Sequence, residues 1–87
     1  MLLTYNIEIE IPHENTTISA FQSLPTMREA KEKLMFIHNG VKQSGYETHW
    51  VDPDVFAYID ENTDESIFVS ITETKTNTFT NQQVKGI

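Results

Sequence analysis

The sequence contains no cysteine, which excludes disulfide bonds and thiolate-ligated metal sites and suits a reducing compartment. Glycine is also scarce: the three glycines, Gly40, Gly45 and Gly86, form no glycine-rich loop that could hold a phosphate group. No apolar run approaches the roughly 18 residues of a membrane span. The N-terminal stretch lacks the positive region of a signal peptide and carries Glu8 early, so we expect a cytoplasmic protein.

Basic residues are few, because six Lys and Arg stand against 13 Asp and Glu and give a net charge of −7. Four of the six basic residues lie in the segment Thr26–Ser44, whose own charge is +2, so the rest of the chain carries −9. A surface of this charge repels nucleic acid and membranes and attracts basic proteins. We therefore expect a protein partner with a basic surface, no direct contact with nucleic acid and no membrane binding.

Candidate catalytic residues are missing from the sequence. There is no cysteine nucleophile and no G-x-S-x-G motif, and the serines have no neighbouring base. The three histidines, His13, His38 and His49, are far apart and form neither an H-x-x-x-H nor an H-E-x-x-H motif. We therefore predict that the protein is not an enzyme and has no cofactor.

The residues 60–64, DENTD, resemble the D-x-N-x-D start of a calcium-binding loop. Glu65 occupies the sixth position, where an EF-hand requires glycine, and Ile71 occupies the twelfth, where it requires glutamate. A solvated hairpin loop that discourages edge pairing accounts better for these acids. No metal site is predicted.

The segment Thr26–Ser44 is predicted to be the one helix of the chain. Thr26 and Glu29 have the T-x-x-E spacing of a capping box, and Gly45 suits the left-handed position past the last turn. Apolar residues recur at intervals of three and four, which is typical of an amphipathic helix. This apolar face comprises Met27, Ala30, Leu34, Ile37 and Val41, with His38 on its edge.

Two further apolar residues do not belong to that face. Phe36 lies nearly opposite its centre, and Met35 lies between the two faces. Such an aromatic residue is covered by the C-terminal segment, is simply exposed, or contacts a partner.

Strand patterns flank the helix on both sides. Leu3–Ile11 alternates apolar residues with Thr, Asn and Glu, which predicts a long strand in the centre of a sheet or in an extended hairpin. Residues 17–23 predict either a second strand, with Ile18 and Ala20 on one face and Phe21 on the other, or a covering loop. Three further strands joined by short turns predict an antiparallel meander over residues 46–51, 55–60 and 66–74.

The predicted fold is α+β. One amphipathic helix packs on a four- to five-stranded, mainly antiparallel sheet in the order β(β)αβββ, and a parallel neighbour for the first strand remains open. We expect a single domain over residues 1–74. Residues 75–87 form a polar tail that either extends the last strand or is partly disordered.

Size and charge favour a small, acidic, non-enzymatic protein-interaction module. Its predicted partner-binding residues are acids of the strands and turns, namely Glu8, Glu10, Glu47, Asp52, Asp54, Asp60, Glu61, Asp64 and Glu65. A more specific form of the hypothesis is a DNA mimic, as in small inhibitors from phages and mobile elements, whose carboxylates occupy the groove of a nucleic-acid-binding protein. The simpler alternative is that the acids only keep the domain soluble.

The second hypothesis is a homo-oligomeric structural or accessory domain without ligand chemistry. Met35, Phe36 and Phe79 would then form a symmetric interface of a homodimer, or an exposed edge strand would pair with its own copy.

Overall fold

The computed structural model describes residues 2–76 as one α-helix packed on a five-stranded antiparallel sheet. The elements follow in the order β1 (Leu2–Ile11), a 3-10 helix (Pro12–Glu14), β2 (Thr16–Leu24), α1 (Met27–Gln43), β3 (Thr48–Asp52), β4 (Val55–Asp60) and β5 (Glu65–Thr76). The strand order across the sheet is β2-β1-β5-β4-β3. The predicted α+β fold is confirmed. The alternative of a parallel neighbour for β1 is wrong, since β1 lies between two antiparallel partners.

The two longest strands form the centre of the sheet. β1 and β5 pair from Leu2 opposite Thr76 to Glu10 opposite Phe68. Ile7, in the middle of this ladder, is fully buried. The alternation in β1 directs its isoleucines to the helix and its glutamates to the open face, as expected for a sheet covered on one side. β2 and β3 are left at the two edges.

α1 has the ends that its sequence predicts. The hydroxyl Oγ1 of Thr26 accepts a hydrogen bond from the backbone N–H of Glu29 at 3.1 Å. After the last turn Gly45 adopts a φ of +94°, which favours glycine. The helix buries Ala30 and Leu34 against the sheet. No helix within residues 2–76 combines the length and the apolar character needed to cross a bilayer.

The core lies between α1 and the middle strands. Its most buried members are at most 1% exposed and comprise Ile7, Ala30, Leu34, Phe56 and Val69. Partly buried side chains pack around them, among them Tyr5, Phe21, Ile37 and Tyr58. Burial of each large apolar side chain contributes roughly 1.5–3 kcal/mol, so these few contacts hold the helix on the sheet.

β2 is a strand and not a covering loop, but the predicted orientation of its side chains was wrong. Ile18 lies opposite Ile9 and Phe21 lies opposite Ile7, so both face the helix side of the sheet. Residues three apart share a face because the register shifts near Ala20, as in a β-bulge. The bulge inserts an extra residue and brings Phe21 against the core.

β5 continues to Thr76, so residues 75 and 76 belong to the strand. Phe79 and the remainder of the predicted tail lie outside the described residues.

Candidate partner-binding surface

Three segments that are distant in sequence meet at one end of the sheet. Asp60 and Glu65 are cross-strand partners at the end of the β4–β5 hairpin. His13, in the 3-10 helix after β1, places its Nδ1 atom 3.1 Å from Oε2 of Glu65. The backbone N–H of Ile59 donates to the carbonyl of Glu47, at 3.2 Å, and so brings the segment after α1 to the same place.

These contacts assemble a set of carboxylates that we call the acidic end. It comprises Glu10, Glu14, Glu47, Asp60, Glu61, Asp64 and Glu65. Strands fix the positions of the residues at its base, while the turns expose the others to solvent.

The β4–β5 hairpin owes its shape to short polar side chains. Oδ1 of Asp60 accepts a hydrogen bond from the backbone N–H of Asn62 at 3.0 Å. Asp64 adopts a positive φ of 60°, which aspartate tolerates better than most residues. The D-x-N-x-D stretch is therefore used to build a turn. Within residues 2–76 no group of three or more His, Asp or Glu is arranged to hold a metal ion.

Little positive charge balances the acidic end. His13 lies between Glu65 and Glu14, with its Nε2 atom 3.6 Å from Oε2 of Glu14. In the part of the chain that the structure describes, lysine forms an ion pair with a carboxylate only between Lys31 and Asp54, away from this end. The C-terminus of α1 also lies on this side and adds one cation, Lys42, while its last carbonyls accept hydrogen bonds from the backbone N–H groups of Ser44, Gly45 and Tyr46. One lysine against seven carboxylates leaves this end negative. The resulting field attracts a positively charged surface.

Comparisons with protein families, with curated proteins and with solved structures found no match to this chain.

The structure does not bring all nine predicted acids together. Asp52 and Asp54 belong to the β3–β4 turn, separated from Asp60 by the length of β4, about 17 Å at the usual rise of a strand. Oδ1 of Asp52 accepts a hydrogen bond from the backbone N–H of Asp54 at 2.8 Å. Glu8 lies on the open face of β1, two residues from Glu10. The remaining six predicted acids belong to the acidic end.

Glu14 was not among the acids predicted from the sequence to bind a partner. Its place in the sequence gave a partial indication, because Pro12 ends β1 and Glu14 follows two residues later, next to His13. Its position became clear only with the strand order, because the end of β1 adjoins the start of β5. Glu14 is exposed and adds to the same surface.

The outer face of α1 is a separate surface. Phe36 is 73% exposed and Met35 is 46% exposed, so neither is covered by residues 2–76. Phe36 borders shallow hollows on the helix, one towards Phe21 and one over Gly40. Lys33 lies over the ring of Phe21, with its Nζ atom 5.2 Å from the ring centre. This face is mixed in charge and does not continue the acidic end.

His38 is buried, although the sequence placed it at the edge of the helix face. Its ring lies 4.8 Å from that of Trp50 and 5.1 Å from that of Phe56, measured between centres. Its Nε2 atom is 3.5 Å from the hydroxyl of Thr48. His38 therefore serves the packing of α1 on β3 and β4. His13 lies at the acidic end, beside Glu65. His49 lies on β3.

Tyr58 stands between the core and the acidic end. Burial raises the pKa of its hydroxyl above 10.0, and the neighbouring Tyr46 and Asp60 raise that pKa further. The rings of Tyr46 and Tyr58 lie 5.4 Å apart, edge to face. These surroundings favour the neutral, protonated form of the Tyr58 side chain.

Proposed function

We propose that this protein is a small, non-enzymatic interaction module that binds a basic surface of a protein partner through its acidic end. The observation that supports this proposal is the convergence of seven carboxylates from three separate segments. A cysteine-free chain is compatible with a cytoplasmic location, which is part of the proposal.

The fold suits this role because it holds the charges in place. Two of the three segments are anchored by strand pairing, and the third is anchored by the hydrogen bond between Ile59 and Glu47. Preorganised negative charges steer a basic partner during the encounter and disfavour partners that are not basic. Exposed carboxylates lose little hydration until the partner arrives, so the domain remains soluble without it.

A nucleic-acid-binding protein is the partner class that we favour, because its binding groove is a basic surface made for regularly spaced anions. Glu8 and Glu10 lie on one face of β1, about 7 Å apart by the rise of a strand, and lead into the acidic end. In this form of the proposal the protein is a DNA mimic, such as a phage or mobile element uses against a host protein.

The proposal can be tested by capture from a host lysate with two matched variants. Glu14→Lys/Glu61→Lys reverses two exposed charges at the acidic end. Glu32→Lys/Glu73→Lys makes the same change in net charge at two exposed positions outside it. We expect the wild type and the second variant to retain the same basic protein, identified by mass spectrometry, and the first variant to lose it.

Two results would contradict the proposal. One is equal retention by both variants, since net charge alone would then explain the capture. The other is capture of no basic protein by the wild type. The DNA-mimic form has a further test: the wild type should release a labelled DNA duplex from the captured protein, and simultaneous binding of both would disprove mimicry.

A second candidate function is a homo-oligomeric accessory domain, and the exposure of Phe36 and Met35 favours it. If this face joins two copies, Phe36→Asp should convert a dimer to a monomer in light scattering. The same substitution should leave binding through the acidic end unchanged, because the two surfaces do not overlap.

A further inference from the structure

β2 is an edge strand whose first half, residues 16–19, lacks the usual protection against pairing. Its nine residues, TTISAFQSL, include no charged residue and no proline. Seven of the nine are exposed, and one side of the strand pairs with β1. A free edge presents unpaired backbone N–H and C=O groups, which are a template for another strand.

The opposite edge of the sheet is shorter and carries charge. β3 has only five residues and ends with Asp52. Both edge strands have an irregular register and are followed by a proline, but in β2 the irregularities lie beyond Ser19 and leave residues 16–19 regular. Short length, charge, irregularity and proline are the devices that protect an edge strand. The two edges therefore differ in length and in charge.

We propose that β2 pairs in antiparallel fashion with β2 of a second copy, about a two-fold axis at Ile18. The segment from Thr16 to Ser19 is in regular register with β1, before the bulge at Ala20. Pairing about Ile18 places Thr17 opposite Ser19 of the other copy and Ile18 opposite itself. Ile18 is 49% exposed, and the contact would cover it. Cross-strand pairs of this kind stabilise a sheet.

A second copy suits this edge because the uncharged segment meets its own copy without placing like charges opposite each other. The nearest acids on the neighbouring strand, Glu8 and Glu10, would be separated from those of the second copy by three strand spacings, about 14 Å. This separation exceeds the Debye length of about 8 Å at physiological ionic strength, so the repulsion is largely screened. Antiparallel pairing also directs the two acidic ends away from each other. The two Thr16 residues, at the starts of the paired strands, would be about 14 Å apart along the strands, and each acidic end lies beyond its own Thr16.

This proposal develops the self-association candidate, moves its contact from the helix to the sheet edge, and does not depend on the acidic end. The paired segment is short, so the interface is small and the association is weak and concentration-dependent. The dimer would be a continuous ten-stranded sheet that leaves both acidic ends free for partners.

The test compares two substitutions at the two edges by sedimentation equilibrium over about a hundredfold range of protein concentration. Ile18→Lys places two ammonium groups directly opposite each other at the axis. Val51→Lys makes a similar change on β3, where Val51 is 53% exposed. We expect the wild type and Val51→Lys to dimerise and Ile18→Lys to raise the dimer Kd at least about tenfold, since opposed like charges destabilise a strand pair.

Two further measurements distinguish loss of the dimer from loss of the fold. Circular dichroism and thermal unfolding check that Ile18→Lys keeps the fold. In the wild type, hydrogen exchange of the β2 amides should slow as the protein concentration rises. This measurement needs no variant. A monomer at every concentration, or a dimer that Phe36→Asp dissociates and Ile18→Lys does not, would overturn the proposal. Glu14→Lys/Glu61→Lys should still dimerise, so failure at the acidic end is distinguishable from failure at β2.

Discussion

The Nζ atom of Lys31 lies 3.6 Å from Oδ1 of Asp54, so a helix side chain meets the β3–β4 turn. Both side chains are substantially exposed, at 52% and 40%, and exposed ion pairs contribute at most about 1 kcal/mol. The contact has a consequence for recognition, because it partly neutralises an acid that lies far from the acidic end.

Asp54→Asn should therefore have small effects. We expect the free energy of unfolding to fall by less than about 1 kcal/mol in urea denaturation. The backbone carbonyl of Asp54, which accepts a hydrogen bond from the N–H of Ile71 at 3.0 Å, is retained. Affinity for a basic partner should change by less than about twofold. A larger loss of affinity would place the β3–β4 turn in the interface.

The two glycines near the end of α1 should respond oppositely to alanine. A Cβ at Gly40 would have open space around it, so Gly40→Ala should stabilise the protein by about 0.5–1 kcal/mol through helix propensity. Gly45 has a φ of +94°, so Gly45→Ala should destabilise it by about 1 kcal/mol or more. Thermal and urea unfolding measure both changes. Destabilisation by Gly40→Ala would mean that the outer helix face is occupied in solution.

Leu34 and Phe36 are two residues apart on α1 but should differ widely in their contribution to stability. Leu34 is 1% exposed, so Leu34→Ala should reduce the free energy of unfolding by about 2–5 kcal/mol. Phe36→Ala should change it by no more than about 0.5 kcal/mol, since the ring is exposed. Denaturant unfolding of the monomer tests the pair. A large loss for Phe36→Ala would show that the ring is buried by something beyond residues 2–76.

Alkaline conditions should destabilise the protein partly through Tyr58. Its folded pKa lies above the unfolded value of 10.0, so above that pH the unfolded chain releases the phenolic proton first. The stability that Tyr58 contributes is complete below pH 10.0 and is lost as the pH rises through its folded pKa.

Tyr58→Phe should therefore give a shallower fall of unfolding free energy with pH in the alkaline range. Urea denaturation at a series of pH values measures the slope, and phenolate absorbance follows the titration directly. Other titrating groups are common to both proteins, so the difference isolates Tyr58. Identical slopes would show that Tyr58 titrates alike in both states.

The helix could be predicted from sequence because its signals are local. The spacing of Thr26 and Glu29, the position of Gly45 and the apolar intervals all act within a few turns. Four of the five strands were likewise identified by alternation or by turn residues, whereas β2 was left as either a strand or a loop. The position of Phe36 away from the apolar face followed from the helical period, whereas its exposure was one of three alternatives.

Two features could not be read from the sequence, because they depend on pairing between distant strands. The bulge at Ala20 is set by the register of β2 on β1, and no residue type there announces it. The grouping of acids depends on the strand order. Only when β5 pairs with β1 do Glu14 and Glu65 share one end of the sheet while Asp52 lies elsewhere.

The most direct test of the acidic end is the salt dependence of binding to the captured basic protein, measured by calorimetric titration for the wild type and both double variants. We predict that affinity falls as salt rises towards about 0.5 M, where the Debye length is only a few Å. Glu14→Lys/Glu61→Lys should bind at least about tenfold more weakly at low salt, with a flatter dependence, while Glu32→Lys/Glu73→Lys stays near the wild type. Affinity that neither salt nor Glu14→Lys/Glu61→Lys alters would contradict the proposed function.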